Sequence, residues 1–557
     1  MGFGTVIDRG VEQLDSPAPK IYVPPAKYSE EQLEIIHCKA PIVVGQAFAG
    51  SGKSTTGIGI AAHNRDKRIL VLCFNTANAA EAKLKYPSVS QKVTASSTHA
   101  LARECLSPRQ MARVSERWGA IALRHELPLV GGRNDYRTAA VTASLLKEFF
   151  MSTDERVDPV LHGRDARRSL SATDATLEQC AQHAQLLWLA MNTGDVVRGM
   201  RSEVNSVTIP HDAYLKMFVM RGGNLGYDIV IFDEAQDANP IMLRLLENQY
   251  KTGSQVVMLG DRHQSIYEFR GAVNAMENLP DSAKVLPLTQ SWRFGPKTAD
   301  IANFILSELK GEVLSIQGMG EDRPFDPNAP VTYLSRTNAD TLQRAVAVNG
   351  KGVHWVGGIE GYRVSRLNDA WALRCGRLAD IQDSYFKRNY PSWEEFKNAV
   401  DFDSETKIIA NLVETYQSQI PHIVEQLCQN AVPKGREAEA TTVLTTGHRS
   451  KGLEWPQVHI ADDFRDVFKQ AESWLSGRGA TFPLSEINLY YVLATRAQHY
   501  LRPNHEMDNW FDNIDSYRRR RTRSFSATEV AENKEAPFRR PGALVAASAF
   551  SNLRPMF

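Results

Sequence analysis

Apolar positions along the chain gather in short runs that end abruptly in glycine or in acidic and polar residues. The run Pro41 to Gly45 reads as a buried strand, and a helix-compatible stretch from Thr55 through Ala62 follows it after a glycine-rich loop. The segment ILVLCFNTANAAEAK, Ile69 to Lys83, reads as a second strand ending in Phe74 and Asn75 and then a helix. Asp228 to Phe232 passes from charged to apolar residues and stops at Asp233 and Glu234, as a central strand does when it delivers carboxylates at its C-terminal end. INLYYVLATRA, Ile487 to Ala497, is apolar until a polar tip and reads as a buried helix or strand. Strands that each lead into a loop and a helix point to an α/β fold with parallel sheets.

The loop after the first strand, AFAGSGKS from Ala47 to Ser54, has the context and spacing of a phosphate-cradling loop. Ala49, Gly50, Ser51 and Gly52 would turn backbone N–H groups toward phosphate oxygens, with Lys53 on the outer phosphates and Ser54 and Thr55 opening the helix. Ser54 and Asp233 are the expected Mg²⁺ ligands, and Glu234 the group that orients or deprotonates an attacking water. Ala47 departs from the strict pattern, which begins with glycine. The expected cofactors are ATP and Mg²⁺.

Composition sets the frame for that chemistry. At 557 residues the chain exceeds a single core and should divide into roughly three or four domains. Six scattered cysteines without a C-x-x-C pair argue for a reducing compartment and against zinc. Lacking an apolar run of membrane-spanning length or a signal peptide, the chain is expected to have no membrane partner and to be cytoplasmic, nucleoid-associated if bacterial. A formal net charge of +1 means that any nucleic-acid contact must come from a local groove.

Further motifs appear in order: YSEEQLEII with Gln32, TASSTHALA with Thr98 and His99, VVMLGDRHQSIYEFRGA from Val256 to Ala272, LTQSWRFG from Leu288 to Gly295, and TTGHRSKGLEWPQVHIADDF from Thr445 to Phe464. Together with the loop and the DEAQD strand end, this set resembles the UvrD/Rep/PcrA-like superfamily-1 DNA helicases, most of all the catalytic part of the F-box DNA helicases, over about Tyr28 to Asn504. By that resemblance Gln32 reads the adenine edge, Trp292 stacks on the base and Glu454 contacts the ribose. Gln264 senses the outer phosphate, while Arg293 and Arg496 are two arginine fingers. The DNA contacts it implies are Phe74, Asn75, Thr98, His99, Tyr267, Phe269, His448 and Lys451. The rival reading for Phe74 and Tyr267 is an ordinary core residue, and for Lys451 a solvated surface charge. His211, Tyr214 and Lys216, in VTIPHDAYLKMFVM, receive no role beyond docking an inserted region onto the motor.

The resemblance implies two RecA-like P-loop motor domains, each interrupted by a mainly helical insertion. The first would take residues 28–103 and 203–285 around an insertion at 104–202; the second, 286–364 and 438–515 around a small insertion at 365–437. Residues 1–27 would be an N-terminal tail without room for an F-box. Residues 516–557 form a basic tail, with Arg518 to Arg521 either a phosphate-binding patch or a solvated run. The implied activity is ATP-driven 3′-to-5′ movement on single-stranded DNA, with unwinding or displacement of bound protein. Single-stranded DNA and its junctions with duplex would be the partners. A motor subunit working with a nuclease or recombination factor, and a nucleotide-gated binding module, are the rival readings.

Overall fold

The computed structural model describes residues 27–73, 76–115, 118–120, 123, 126–127, 136–193, 207–266, 275–276, 279–280, 282–348, 352–398, 404–475 and 483–510. Phe74, Asn75, Tyr267, Phe269, both tails and Arg518 to Arg521 lie outside them.

Six strands form one parallel sheet: β1 (Ile42–Ala47), β2 (Ile69–Cys73), β3 (Val93–Ser97), β4 (Ile229–Asp233), β5 (Gln255–Gly260) and β6 (Ala283–Leu288), in the order β3-β2-β4-β5-β1-β6. Period-two alternation divides their side chains between two cores. Val43, Val71, Ile231 and Val257 face one core with Ile35, Ile58 and Ala79, from the helices Glu30–His37, Lys53–His63 and Thr76–Lys85. Val44, Leu72, Phe232 and Met258 face the other, which contains Phe149 and Leu187 from the helices Tyr136–Met151 and Asp174–Thr193. Those helices share that core with His211–Met220 and Pro240–Lys251, so both faces of the sheet are covered. The short central strands are apolar on both faces for this reason, as a doubly covered parallel sheet requires.

The helix His211–Met220 fastens this cover in place. Lys216 is fully buried, and its ammonium donates to the carbonyls of Phe149 at 2.8 Å and Ser152 at 2.7 Å while lying 3.8 Å from the Phe149 ring centroid. These carbonyls belong to the end of the Tyr136–Met151 helix, where backbone acceptors have no partner of their own and a cation complements the helix dipole. The docking role anticipated for the segment containing Lys216 thus has a specific contact.

A second parallel sheet holds β9 (Val331–Ser335), β10 (Val353–Trp355), β11 (Thr442–Thr446), β12 (Trp455–Ile460) and β13 (Ala497–Arg502), in the order β10-β11-β9-β12-β13. Its helical neighbours Ser365–Arg374, Ser404–Tyr416 and Ile420–Asn430 share a core with Trp355 and Leu444. A two-stranded parallel ribbon, β7 (Gln290–Ser291) with β8 (Gln317–Gly318), stands apart from both sheets. The boundary expected between residues 285 and 286 falls inside β6. Because β6 pairs with β1 from Ala283 through Leu288, the crossing to the second sheet comes later than the motif order suggested.

INLYYVLATRA resolves as the helix Leu484–Ala494, buried from Ile487 onward, followed by β13. It lies in the same apolar core as Phe48 and Ala49 of the glycine-rich loop, so the loop is wedged against elements of the second sheet.

Candidate nucleotide site

Parallel pairing sets the C-terminal ends of β1, β4 and β5 side by side, with Gln46 opposite Gly260 and Asp233 opposite Leu259. Loops leaving these ends converge at the edge where α/β sheets bind ligands. The glycine-rich loop follows β1, Asp233 and Glu234 close β4, and Asp261 follows β5.

The loop is tightly built. Gly50 and Gly52 have φ of 74° and 85°, in the left-handed region open to glycine. Side chains are also excluded by space: a Cβ at Gly50 would lie 2.5 Å from Arg293 Cβ and 2.6 Å from Ser291 Oγ, and one at Gly52 would lie 2.6 Å from Gln32 Nε2. The Ser291 hydroxyl, buried beside Gly50, has no hydrogen-bond partner among the described residues. Lys53 begins the following helix and reaches Glu234 Oε2 at 3.3 Å. Burial opposes its charge, yet Glu234, Asp261 and Asp233 more than offset that and raise its pKa.

Glu234 occupies a left-handed backbone conformation, φ 58°, which a non-glycine residue adopts at a cost of order 1–3 kcal/mol and which clusters at functional turns. The turn carries Glu234 back over Lys53. Burial and the neighbouring Glu234 push Asp233 upward, whereas Lys53 and Lys451 hold Glu234 low against burial. Gln236, which the sequence did not single out, donates to Glu234 Oε2 at 2.5 Å and accepts from the Asp261 amide at 2.9 Å.

Elements of the second sheet close the site. Arg293 donates to Glu454 Oε2 at 2.5 Å and to the Thr495 carbonyl at 3.1 Å, and Gln498 holds the other Glu454 oxygen at 2.9 Å. Arg496 is buried, donating to the carbonyls of Val492 and Leu453 and, at 3.4 Å, to Gln264 Oε1. Burial, and then the like charge of Arg293, lower the Arg496 pKa. Trp292 is 57% exposed at the mouth, its amide donating to the Gly50 carbonyl at 3.0 Å.

Several expected contacts are placed differently. Lys451 turns inward: its ammonium meets both Asp237 oxygens at 2.7 and 2.6 Å and the Gln264 carbonyl at 2.5 Å. Ala49 gives its amide to the Tyr491 hydroxyl and not toward phosphate, and Ser51 gives both its amide and its hydroxyl to the Phe48 carbonyl. Gln32 is buried in a capping box with Ser29, which occupies its side-chain oxygen, although its amide nitrogen points at Gly52. Thr98 is fully buried and its hydroxyl has no partner among the described residues, while His99 remains half-buried and bonds Asp212 at 3.0 Å. His448 lies in the turn between β11 and β12, and Thr55 and the exposed Ser54 lie in the first turn of the loop helix.

The group that such a site would hold can be tested against these residues. Two glycines in the left-handed region leave the loop backbone without side chains at those positions, a helix N-terminus and Lys53 supply positive charge, and Ser54 and Asp233 are hard oxygen donors of the kind Mg²⁺ selects. The fit is to a nucleoside triphosphate with a magnesium ion.

Comparison with known proteins agrees. Residues 219–282, spanning the Asp233–Glu234 and Asp261–Gln264 turns, match the family described as the UvrD/REP helicase N-terminal domain. Over 518 residues the chain is 30% identical to F-box DNA helicase 1 of Gallus gallus, which covers 85% of this chain and 48% of that protein. Over most of its length the chain is thus similar to helicases of the UvrD/Rep kind. Similarity also extends to F-box DNA helicase protein 1 of Schizosaccharomyces pombe, 28% identical over 525 residues, covering 84% of this chain and 56% of that one. ATP-dependent DNA helicase UvrD2 of Mycobacterium bovis is 23% identical over 333 residues, 49% of this chain and 47% of its own. The chain spans about half the length of the curated relatives it matches. Among the described residues, no helix is long and apolar enough to cross a membrane.

Proposed function

We propose that this protein is a DNA-dependent ATPase of the UvrD/Rep helicase family that moves 3′ to 5′ along single-stranded DNA and unwinds duplex or displaces bound protein. In this reading each parallel sheet is the core of one RecA-like motor domain, and ATP with Mg²⁺ binds between them. The observation that carries it is the meeting of Lys53 and Glu234, on the first sheet, with Arg293, Arg496 and Glu454 in one hydrogen-bonded and charged cluster. A binding module that uses nucleotide only as a clamp has no need for two guanidinium groups beside a water-orienting carboxylate.

ATP-Mg²⁺ supplies the bond whose hydrolysis drives the cycle. Lys53 and Arg293 stabilise negative charge on the outer phosphate, Glu234 orients and deprotonates the attacking water, and Ser54 with Asp233 would hold the metal. Gln264 lies between Asp261 and Arg496, so a change at either sheet is felt at the other. Closing the cleft excludes water and completes the cluster; reopening it resets the grip on DNA. His99 and His448 are the described candidates for that grip, and Lys451 serves the contact between the two halves.

ATP-driven strand release from duplexes with either a 3′ or a 5′ single-stranded tail tests the reading, with Lys53→Ala as control. Release from the 3′-tailed substrate alone is expected. DNA-stimulated ATP hydrolysis without release from either duplex would favour the second reading, a motor subunit that depends on a nuclease or recombination partner. Trp292 supplies a separate check on the base pocket. Trp292→Ala should raise the KM for ATP by about tenfold with kcat held within about twofold, because a stacked ring binds ground and transition states alike. An unchanged KM would remove the ring from the pocket.

A further inference from the structure

We infer that Tyr491 is a positioning residue that couples the phosphate loop to the Asp261–Gln264 turn and, through it, to the catalytic groups of both sheets. The inference rests on the ATPase reading above and adds a residue that neither the motifs nor the cluster of charged groups identified.

Tyr491 is fully buried in the helix Leu484–Ala494. A phenol hydroxyl in such surroundings must find polar partners or destabilise the fold. It has two. The hydroxyl accepts from the Ala49 amide at 3.0 Å and donates to Asp261 Oδ2 at 3.0 Å. Asp261 Oδ2 also accepts from Gln264 Nε2 at 2.8 Å, and Gln264 Oε1 accepts from Arg496 Nη2 at 3.4 Å. Arg496 is five residues beyond Tyr491. The bonds thus form a closed circuit that leaves the second sheet's side at Tyr491, crosses to Asp261 and Gln264, and returns at Arg496.

A branch reaches the carboxylate. The Asp261 amide donates to Gln236, whose side chain donates to Glu234. A movement of the loop at Ala49 therefore has a short polar route to Glu234, Gln264 and Arg496. Ring contacts follow the same line, because His263 lies between Phe48, stacked at 5.7 Å, and Tyr491, edge-on at 5.9 Å. Burial and the neighbouring Asp261 hold the Tyr491 phenol well above its ordinary pKa, so it stays a neutral donor throughout the working pH range. Buried polar networks with every member satisfied fix one arrangement, and loss of one member loosens the rest.

The adjacent residue supplies the control. Tyr490 is equally buried, but its hydroxyl donates to the Arg465 carbonyl at 3.0 Å and accepts from Asn504 at 3.4 Å, on the side away from the nucleotide site. Tyr490→Phe and Tyr491→Phe each delete one buried hydroxyl, so both should lower the melting temperature by a similar amount. Only Tyr491→Phe should also lower kcat for ATP at saturating single-stranded DNA, by about tenfold with KM within about twofold, since the contact positions groups used in the transition state. Asp261→Asn, which keeps the shape but replaces one of the two acceptor oxygens with a donor, should show the same split between kcat and KM. Equal kcat and KM in the two tyrosine variants would overturn the inference while leaving the ATPase reading intact. A parent protein without DNA-stimulated hydrolysis would overturn that reading and this inference with it.

Discussion

Lys53→Ala is expected to lower ATP turnover by about 10³-fold or more while single-stranded DNA is still bound. The structure explains why the loss should be this large. Lys53 is the cation nearest the Asp233, Glu234 and Asp261 carboxylates, and its own charge is held on by them against burial. Alanine removes the outer-phosphate contact and also leaves three acidic side chains facing one another where a polyanion must enter. Phosphate release at saturating DNA, together with DNA binding by fluorescence anisotropy, separates the two effects. Turnover near that of the parent protein would end the nucleotide-hydrolase proposal. Lost DNA binding alongside lost turnover would mean that the substitution had damaged the fold.

Arg293→Ala should cost about 10³-fold or more in kcat with a smaller change in KM, as for a guanidinium that stabilises charge developing only in the transition state. Arg293 holds Glu454 and the Thr495 carbonyl, so a rate loss could in principle reflect a loosened contact between the sheets. Glu454→Ala separates these causes. It breaks the same ion pair from the other end and should cost far less in kcat, its main effect falling on KM through the ribose contact. Arg293→Lys should recover little, because an ammonium keeps the charge without the planar fork that holds two acceptors at once. Equal losses in Arg293→Ala and Glu454→Ala would reduce Arg293 to a tether.

The two positions also differ in how they became visible. Lys53 is readable because everything that defines its surroundings is local: an apolar strand, two glycines with left-handed φ, and a helix start within a dozen residues. Asp233 and Glu234 are readable for the same reason, being the polar end of an apolar strand. Arg293, Arg496 and Glu454 were reached through the resemblance of whole motifs, since nothing local distinguishes them from other surface charges. Their convergence is a property of the contact between the two sheets.

Contacts between distant elements follow the same division. Lys451 stands in a polar turn and reads as an outward-facing cation, yet Asp237, 214 positions away, takes it into a buried ion pair. Removing a charge from water is tolerated only where a partner and further acceptors are supplied, and here Asp237 and the Gln264 carbonyl supply them. The helices at 104–202 were expected to form an insertion because they interrupt the motif order. In the structure they share one apolar core with alternate residues of β1, β2, β4 and β5 and with the helices His211–Met220 and Pro240–Lys251.

The sequence by itself determined the α/β class with parallel sheets, the glycine-rich loop, the paired carboxylates and the likeness to UvrD/Rep helicases, because each is written in a period of two, a turn chemistry or a short motif whose physics acts within one element. Only the tertiary structure decided which side chains complete the site. Tyr491 meets Ala49 across 442 positions and Lys451 meets Asp237 across 214. Such contacts arise when two sheets dock and their buried polar groups must each find a partner, a condition that no local pattern of residues encodes.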